Sequence, residues 1–132
     1  MINIILDSYA LLTFYSNESG SVKVRTLIHQ AASGKLRLLM SVINLGEIWY
    51  IVKRRISISD ADRTIEELHQ MNIEVIDTDW QQTRQAALYK SRGNISYADC
   101  FAAALAKIHN ADLVTGDPEF KSLENEISIS WL

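Results

Sequence analysis

The sequence predicts an α/β fold built on a parallel sheet, and three observations carry that expectation. Ile2–Leu6, Leu36–Met40, Ile73–Ile76 and Asp112–Thr115 are short, largely apolar runs of strand length. Longer stretches with apolar residues at helical spacing separate them, and strands that alternate with helices in this way pair in parallel. At the end of the chain Ile127, Ile129 and Trp131 alternate with Ser128 and Ser130, the pattern of a closing strand with one face inward.

Taken in order, Ile2–Leu6 suits a buried parallel strand and ends in Asp7-Ser8, with Ser8 able to cap the next helix. Tyr9–Tyr15 is apolar enough for a short helix, which the polar run Asn17–Ser21 breaks. Val22–Ala32 returns to helical spacing until Gly34 stops it. After the second strand Ser41 caps a helix through about Arg55, and Ser59-Asp60-Ala61-Asp62 opens another to about Gln70. Thr78 or Asp79 caps a helix to about Lys90, Ser91–Asn94 forms a loop, and Asp117-Pro118 starts a short helical turn.

A chain of 132 residues, 48% hydrophobic and 22% charged, makes one globular domain over residues 1–132 with room for a core. Its net charge of -3 argues against broad electrostatic capture of nucleic acid, so any such contact must come from local basic patches. Cys100, the only cysteine, allows no intramolecular disulfide, fits a reducing cytoplasm and reads as a small core residue. The opening Met1–Asp7 has no basic leader and too short an apolar run for a signal peptide or a membrane span, so neither export nor a membrane is expected. No Gly-x-Gly-x-x-Gly run comes after the first strand, which sets aside a nucleotide-dependent oxidoreductase.

The run from Ser96 to Asp117 organises the rest. Ser96 caps an Ala- and Leu-rich helix that Asn110 stops before Asp112-Leu-Val-Thr. From Asp99 to His109 the helix climbs roughly 15 Å at ~1.5 Å per residue, and from Asp112 to Asp117 the strand descends roughly 16 Å at ~3.3 Å per residue. Asp99 and Asp117 are therefore expected at one edge of the domain.

In an open α/β sheet the carboxyl ends of strands and the amino ends of the following helices share a rim, where ligands bind. Asp7 ends the first strand, Glu47 lies in the first two turns after the second, Asp99 opens its helix and Asp117 ends the fourth strand, so all four acids map to that rim. Glu47 is the only charge among Val42, Ile43, Leu45, Ile48, Trp49, Tyr50, Ile51 and Val52, and Asp99 is the only one between Arg92 and Lys107. Any one acid after a strand is more often a cap or a solvated charge. Two that interrupt apolar helices are costly without a partner. Carboxylates about 4 Å apart repel by roughly 4 kcal/mol at an effective dielectric of ~20, so converging acids must take up protons or a cation. A set with only oxygen donors selects Mg²⁺ or Mn²⁺ over Zn²⁺, and such an ion meets the needs of phosphodiester hydrolysis.

Four stretches, in this order and spacing, resemble the PIN-domain ribonucleases, and within them the VapC toxins of toxin–antitoxin pairs. They are Ile5-Leu6-Asp7-Ser8, Ser41 through Asn44-Leu45-Gly46-Glu47, Ser96-Tyr97-Ala98-Asp99 with its Ala-rich helix, and Leu113-Val114-Thr115-Gly116-Asp117-Pro118-Glu119-Phe120. The resemblance spans essentially the whole chain. It implies a three-layer α/β/α sandwich with a mainly parallel central sheet, a homodimer, and a small cognate antitoxin that covers the acidic pocket. It further implies that Asp7, Glu47, Asp99 and Asp117 bind Mg²⁺ or Mn²⁺, with Ser8 and Thr115 orienting ligands or water, and that the reaction is endonucleolytic cleavage of RNA. Ser8 stands where many relatives carry Thr, and Asn44 where Thr is also common; both keep a short polar group.

Other features weigh less. Lys53, Arg54 and Arg55 end a helix, where cations complement its dipole as readily as they meet RNA. Lys90 and Arg92, close to the rim, are better placed for a phosphate. Tyr9, Leu12, Phe14 and Tyr15 suit core packing more than a partner groove, and Trp49 and Tyr50 cannot both face inward. His29, His69 and His109 have no ligand spacing. A phosphatase with Asp7 as nucleophile is disfavoured because Tyr9 stands where a second Asp is usual. The remaining alternative is a non-catalytic PIN-like module whose acids recruit a basic partner peptide.

Overall fold

The computed structural model describes the whole chain, Met1–Leu132. Strands β1 (Ile2–Leu6), β2 (Leu36–Ser41), β3 (Ile73–Ile76), β4 (Asp112–Thr115) and β5 (Ile129–Trp131) form one sheet in the order β3-β2-β1-β4-β5. Every pairing is parallel; Ile4 lies opposite Leu38 on one side and Asp112 on the other, and Leu6 opposite Val114. Six helices connect the strands: α1 (Ser8–Ser16), α2 (Ser21–Ala32), α3 (Val42–Arg55), α4 (Ile58–His69), α5 (Trp80–Arg92) and α6 (Tyr97–Ile108). A 3-10 segment, Pro118–Leu123, precedes β5.

The period-two geometry of a strand explains the layering. Ile4, Leu6, Leu38, Met40 and Val114 point into one core with Leu11, Val24, Ile48 and Leu68 of α1–α4. Ile5, Leu39 and Leu113 point the other way, into a core with α5, α6 and Phe120. Apolar residues on both strand faces need a helical layer on each, and the result is an α/β/α sandwich. Cys100–Ala106 of α6 are all buried, as a helix apolar on every side requires. No helix is long and apolar enough to cross a membrane.

Local chemistry shifts several expected boundaries. Asp7, rather than Ser8, caps α1: its Oδ1 accepts the Ala10 N–H at 2.9 Å. Ser57 opens α4 two residues before Ser59, because its hydroxyl accepts the Asp60 N–H at 3.0 Å. Asp79 rather than Thr78 caps α5, and that helix runs on to Arg92, absorbing two residues of the expected loop. Asn17, Asn72 and Asn110 adopt left-handed backbone with φ of 56°, 59° and 49°, which lets the chain reverse after α1, α4 and α6.

The strand order reverses about β1, with β2 on one side and β4 on the other. The crevice at the carboxyl ends of β1 and β4 is thus the switch point of the sheet, where such folds place a ligand. Asp7 comes directly after β1, and Gly116-Asp117 come directly after β4.

Candidate metal centre

The acids of this rim are supplied by separate elements and converge on a cleft of about 370 Å³ at the switch point. Glu47, Asp99, Asp117 and Glu119 line it together with Ser8, Tyr9 and Ser96, and no Lys or Arg is among its lining residues. One carboxylate oxygen from each of Asp99, Asp117 and Glu119 lies within 4.8 Å of the others. The opposed rises of α6 and β4 bring Asp99 and Asp117 to this edge.

Asp7 sits behind the cleft and is fully buried. Its Oδ1 caps α1, and its Oδ2 accepts the Thr115 hydroxyl at 2.6 Å. Thr115 Oγ1 in turn accepts the Asp117 N–H at 3.1 Å, so one hydroxyl ties the ends of β1 and β4 together. Burial, partly offset by the bonds from Thr115 and Ala10, raises the Asp7 carboxyl from 3.8 to about 7; the charges of Asp117 and Glu47 add to the rise. Asp7 is not within the 4.8 Å cluster, although it feels its field.

Glu47 comes from α3, one turn beyond Asn44. Its Oε1 accepts the Ser8 hydroxyl at 2.7 Å and the Asn44 amide at 3.3 Å. The same amide donates to the Ala98 carbonyl at 3.2 Å, which fastens α3 to the first turn of α6. The buried Asn44 Oδ1 has no hydrogen-bond partner within the chain. Glu47 Oε2 makes no hydrogen bond within the chain, so it is free toward the cleft that the residue lines.

Asp99 opens α6 behind the Ser96 cap, whose hydroxyl accepts the Asp99 N–H at 3.2 Å. Burial is the main reason its pKa is raised, followed by a hydrogen bond shared with Glu119, which favours the protonated carboxyl, and by the charge of Asp117. Asp117 caps the 3-10 segment through its Oδ1, and Glu119 Oε2 accepts the Ser96 N–H at 3.4 Å. Glu119 is the site residue that sequence reasoning missed. It lies in an exposed first turn among ordinary capping acids, and only its place two residues past Asp117, behind a Pro, pointed to it.

The two basic residues better placed by sequence for a phosphate are engaged elsewhere. Lys90 Nζ donates to the Ile95 carbonyl at 2.8 Å, and Arg92 pairs with Glu126 at 2.6 Å. Trp49 turns its Nε1 to Asp62 at 2.9 Å, while Tyr50 stays exposed beneath Arg54.

The donor set fits a hard divalent cation: several carboxylates, no thiolate or imidazole, and no ammonium or guanidinium lining the cleft to balance them. Two of these acids bear raised pKa values, first because they are buried and further because neighbouring carboxylates add their charge with no basic side chain lining the cleft to offset it.

Comparison with known proteins agrees with this fold. Over 99% of both chains, the structure is similar to a chain in the crystal structure of VapBC2 from Rickettsia felis bound to a promoter DNA fragment, with a TM-score of 0.75 and 20% identity. DNA-bound VapBC from Salmonella typhimurium gives 0.74 at 19% identity, covering 99% of this chain and 98% of that one. VapC20 of Mycobacterium tuberculosis, described as a sarcin-ricin-loop-cleaving toxin, gives 0.70 at 17% identity over 90% and 93%. No protein of curated function matches the sequence. The PIN domain family model matches residues 4–126, nearly the full length and all the acids described above, and the chain belongs to the PIN domain family.

Proposed function

We infer that this protein is a Mg²⁺- or Mn²⁺-dependent endoribonuclease with one catalytic domain over residues 1–132, acting as the toxin of a VapC-type toxin–antitoxin pair in the cytoplasm. The observation that carries the reading is the approach of Asp99, Asp117 and Glu119 within 4.8 Å at the switch point of a PIN-domain chain, with no Lys or Arg among the lining residues. Asp7, Glu47, Asp99 and Asp117 would hold the ion, with Glu119 beside them. When bound, the ion offsets the charge of a phosphodiester and lowers the pKa of a water.

The chain's own groups supply the rest. Glu47 Oε2 has no partner within the chain and would be available to the ion or to a hydrogen bond from a water beside it, while the Ser8 hydroxyl and the Asn44 amide hold the other oxygen. Thr115 fixes Asp7 and the Asp117 backbone in one geometry, which holds the ends of β1 and β4 in register at the site. An acidic cleft does not attract RNA by itself, so the substrate must be captured by groups at its margin. A homodimer and a cognate antitoxin that covers the cleft are part of the same reading. It draws support from the fold shared with chains of VapBC complexes.

The deciding experiment is cleavage of a total RNA pool by the purified protein, with Mg²⁺, with Mn²⁺ and with chelator, beside Asp99→Asn. Cuts at mapped positions that need the metal and vanish in the variant support the reading. Equal cleavage by Asp99→Asn, or no cleavage by the unaltered protein freed of any partner, would point instead to a binding module for a basic peptide.

A further inference from the structure

The acid cleft does not end at its carboxylates. Tyr9 and Leu12 of α1 line it and also line a second hollow of about 220 Å³ that reaches Glu18 and Arg55. The two adjoin at a common wall formed by these residues. Tyr9 is the residue between them, and it is 42% exposed although it comes straight after the buried Asp7-Ser8. Its hydroxyl makes no hydrogen bond within the chain, so packing alone holds the ring.

That packing is specific. A Cβ on Gly116 would meet Tyr9 Cε1 at 2.4 Å, Cζ at 3.0 Å and Cδ1 at 3.2 Å. The ring therefore lies directly against the backbone between Thr115 and Asp117, and any larger residue at 116 would force it away. Gly116 has no left-handed backbone to explain its identity; space for the ring does. One edge of the ring is fixed beside the Asp117 loop, and the remainder stays open to solvent at the margin of the cleft.

Arg55 supplies the charge at the far end. Of the three cations that close α3, Arg54 stacks on Tyr50 at 4.9 Å, whereas Arg55 forms no ion pair even with Glu18 in the same hollow. Arg55 lies eight residues past Glu47, roughly 12 Å along the helix at ~1.5 Å per residue. A strand with its scissile phosphate at the acids would thus pass an aromatic surface and then meet a positive charge. Aromatic faces bind unpaired bases by stacking, and cations bind the phosphates between them.

We propose that Tyr9, seated on Gly116, stacks the nucleobase of single-stranded RNA next to the scissile phosphate, and that Arg55, in the adjoining hollow, receives a neighbouring phosphate. The assignment rests on the nuclease reading above and adds the subsite that an acidic cleft needs in order to hold a polyanion.

The test uses short single-stranded RNAs spanning a mapped cut, with 2-aminopurine at successive positions, titrated into the full-length protein in chelator so that they stay intact. One position should be quenched on binding to the unaltered protein and to Tyr9→Phe. Tyr9→Leu keeps the apolar bulk but lacks a π-face, so it should lose the quench and bind roughly ten- to a hundredfold more weakly. Arg55→Gln should keep the quench and flatten the slope of log affinity against log salt by about 0.7. Thermal midpoints of Tyr9→Phe and Tyr9→Leu close to that of the unaltered protein exclude misfolding as the cause. If the unaltered protein cuts RNA and Tyr9→Leu matches it in quench, affinity and kcat/KM, the stacking subsite is overturned and the nuclease reading stands. The subsite is equally overturned if Tyr9→Leu weakens only the binding of a partner peptide. If the unaltered protein cuts no RNA, both fall together.

Discussion

The two rims of the sheet carry similar numbers of acids and treat them in opposite ways. At the amino end of β4 a hollow of about 450 Å³ is lined by Lys107, Asp112, Glu124 and Glu126, and it is the larger of the two. Its acids are exposed or paired: Arg92 meets Glu126, and Lys107 Nζ donates to the Glu126 carbonyl at 3.5 Å. At the carboxyl end the cleft is smaller, Asp7 and Asp99 are buried, and no Lys or Arg lines it. Room to bind is thus no guide to function here. What separates the rims is whether the acids are solvated or paired, or are in part buried with no cation of the protein lining their cleft.

The sharpest way to break this contrast is to neutralise one acid at each rim. Asp99→Asn should reduce Mn²⁺ affinity, read by calorimetry, about a hundredfold or more, with Glu119→Gln nearer tenfold. Asp112→Asn should leave it within about twofold. Free of metal at pH 8, Asp99→Asn should also melt above the unaltered protein, because it removes a crowded buried charge. A lower melting point would show that Asp99 is instead a stabilising cap.

Thr115→Val examines the single hydroxyl on which the carboxyl rim depends. It strands the fully buried Asp7 Oδ2 and the half-buried Asp117 N–H, and the expected loss is about 1–3 kcal/mol in urea denaturation. No loss would mean that water replaces the hydroxyl.

The pH dependence belongs to the carboxyl rim. The Asp7 pKa is 3.8 ordinarily and about 7 when folded, so between these values the folded chain binds more protons than the unfolded one. The associated stability is complete below the lower value and is lost as pH rises through the upper one. The metal-free protein should therefore melt at progressively lower temperature from pH 5 to pH 8. Added Mg²⁺ or Mn²⁺ should reverse more of that fall at pH 8 than at pH 5. A metal-free melting point that climbs over this range would contradict the burial of an unpaired acid.

The smallest effect belongs to the amino rim. Glu126→Gln breaks an ion pair whose side chains are 48% and 35% exposed, so it should cost no more than about 1 kcal/mol and leave cleavage unchanged.

Much of this was legible without coordinates because it depends on periodicity and length. Continuous apolar strands separated by helical spacing dictate layers on both faces, and equal rises along α6 and β4 return Asp99 and Asp117 to one edge whatever the side chains do. Lone charges inside apolar helices marked Glu47 and Asp99 for the same reason: solvation costs are readable from neighbours in sequence. Capping was less readable. Asp7 and Ser8 are both good caps, and the choice between them fell to Asp7 because Ser8 is turned toward Glu47.

By itself, then, the order of residues determined which elements form, how they layer, and which acids share a rim, since these depend on neighbours along the chain and on fixed rises per residue. Only the tertiary structure decided which polar groups satisfy one another. That Asp99 meets Glu119, that Lys90 and Arg92 are engaged by Ile95 and Glu126, and that Gly116 is small to seat Tyr9 all depend on contacts across 5 to 107 positions of sequence. Hydrogen bonds and close contacts act over a few ångströms in space, and no local pattern encodes which distant atoms will come that near.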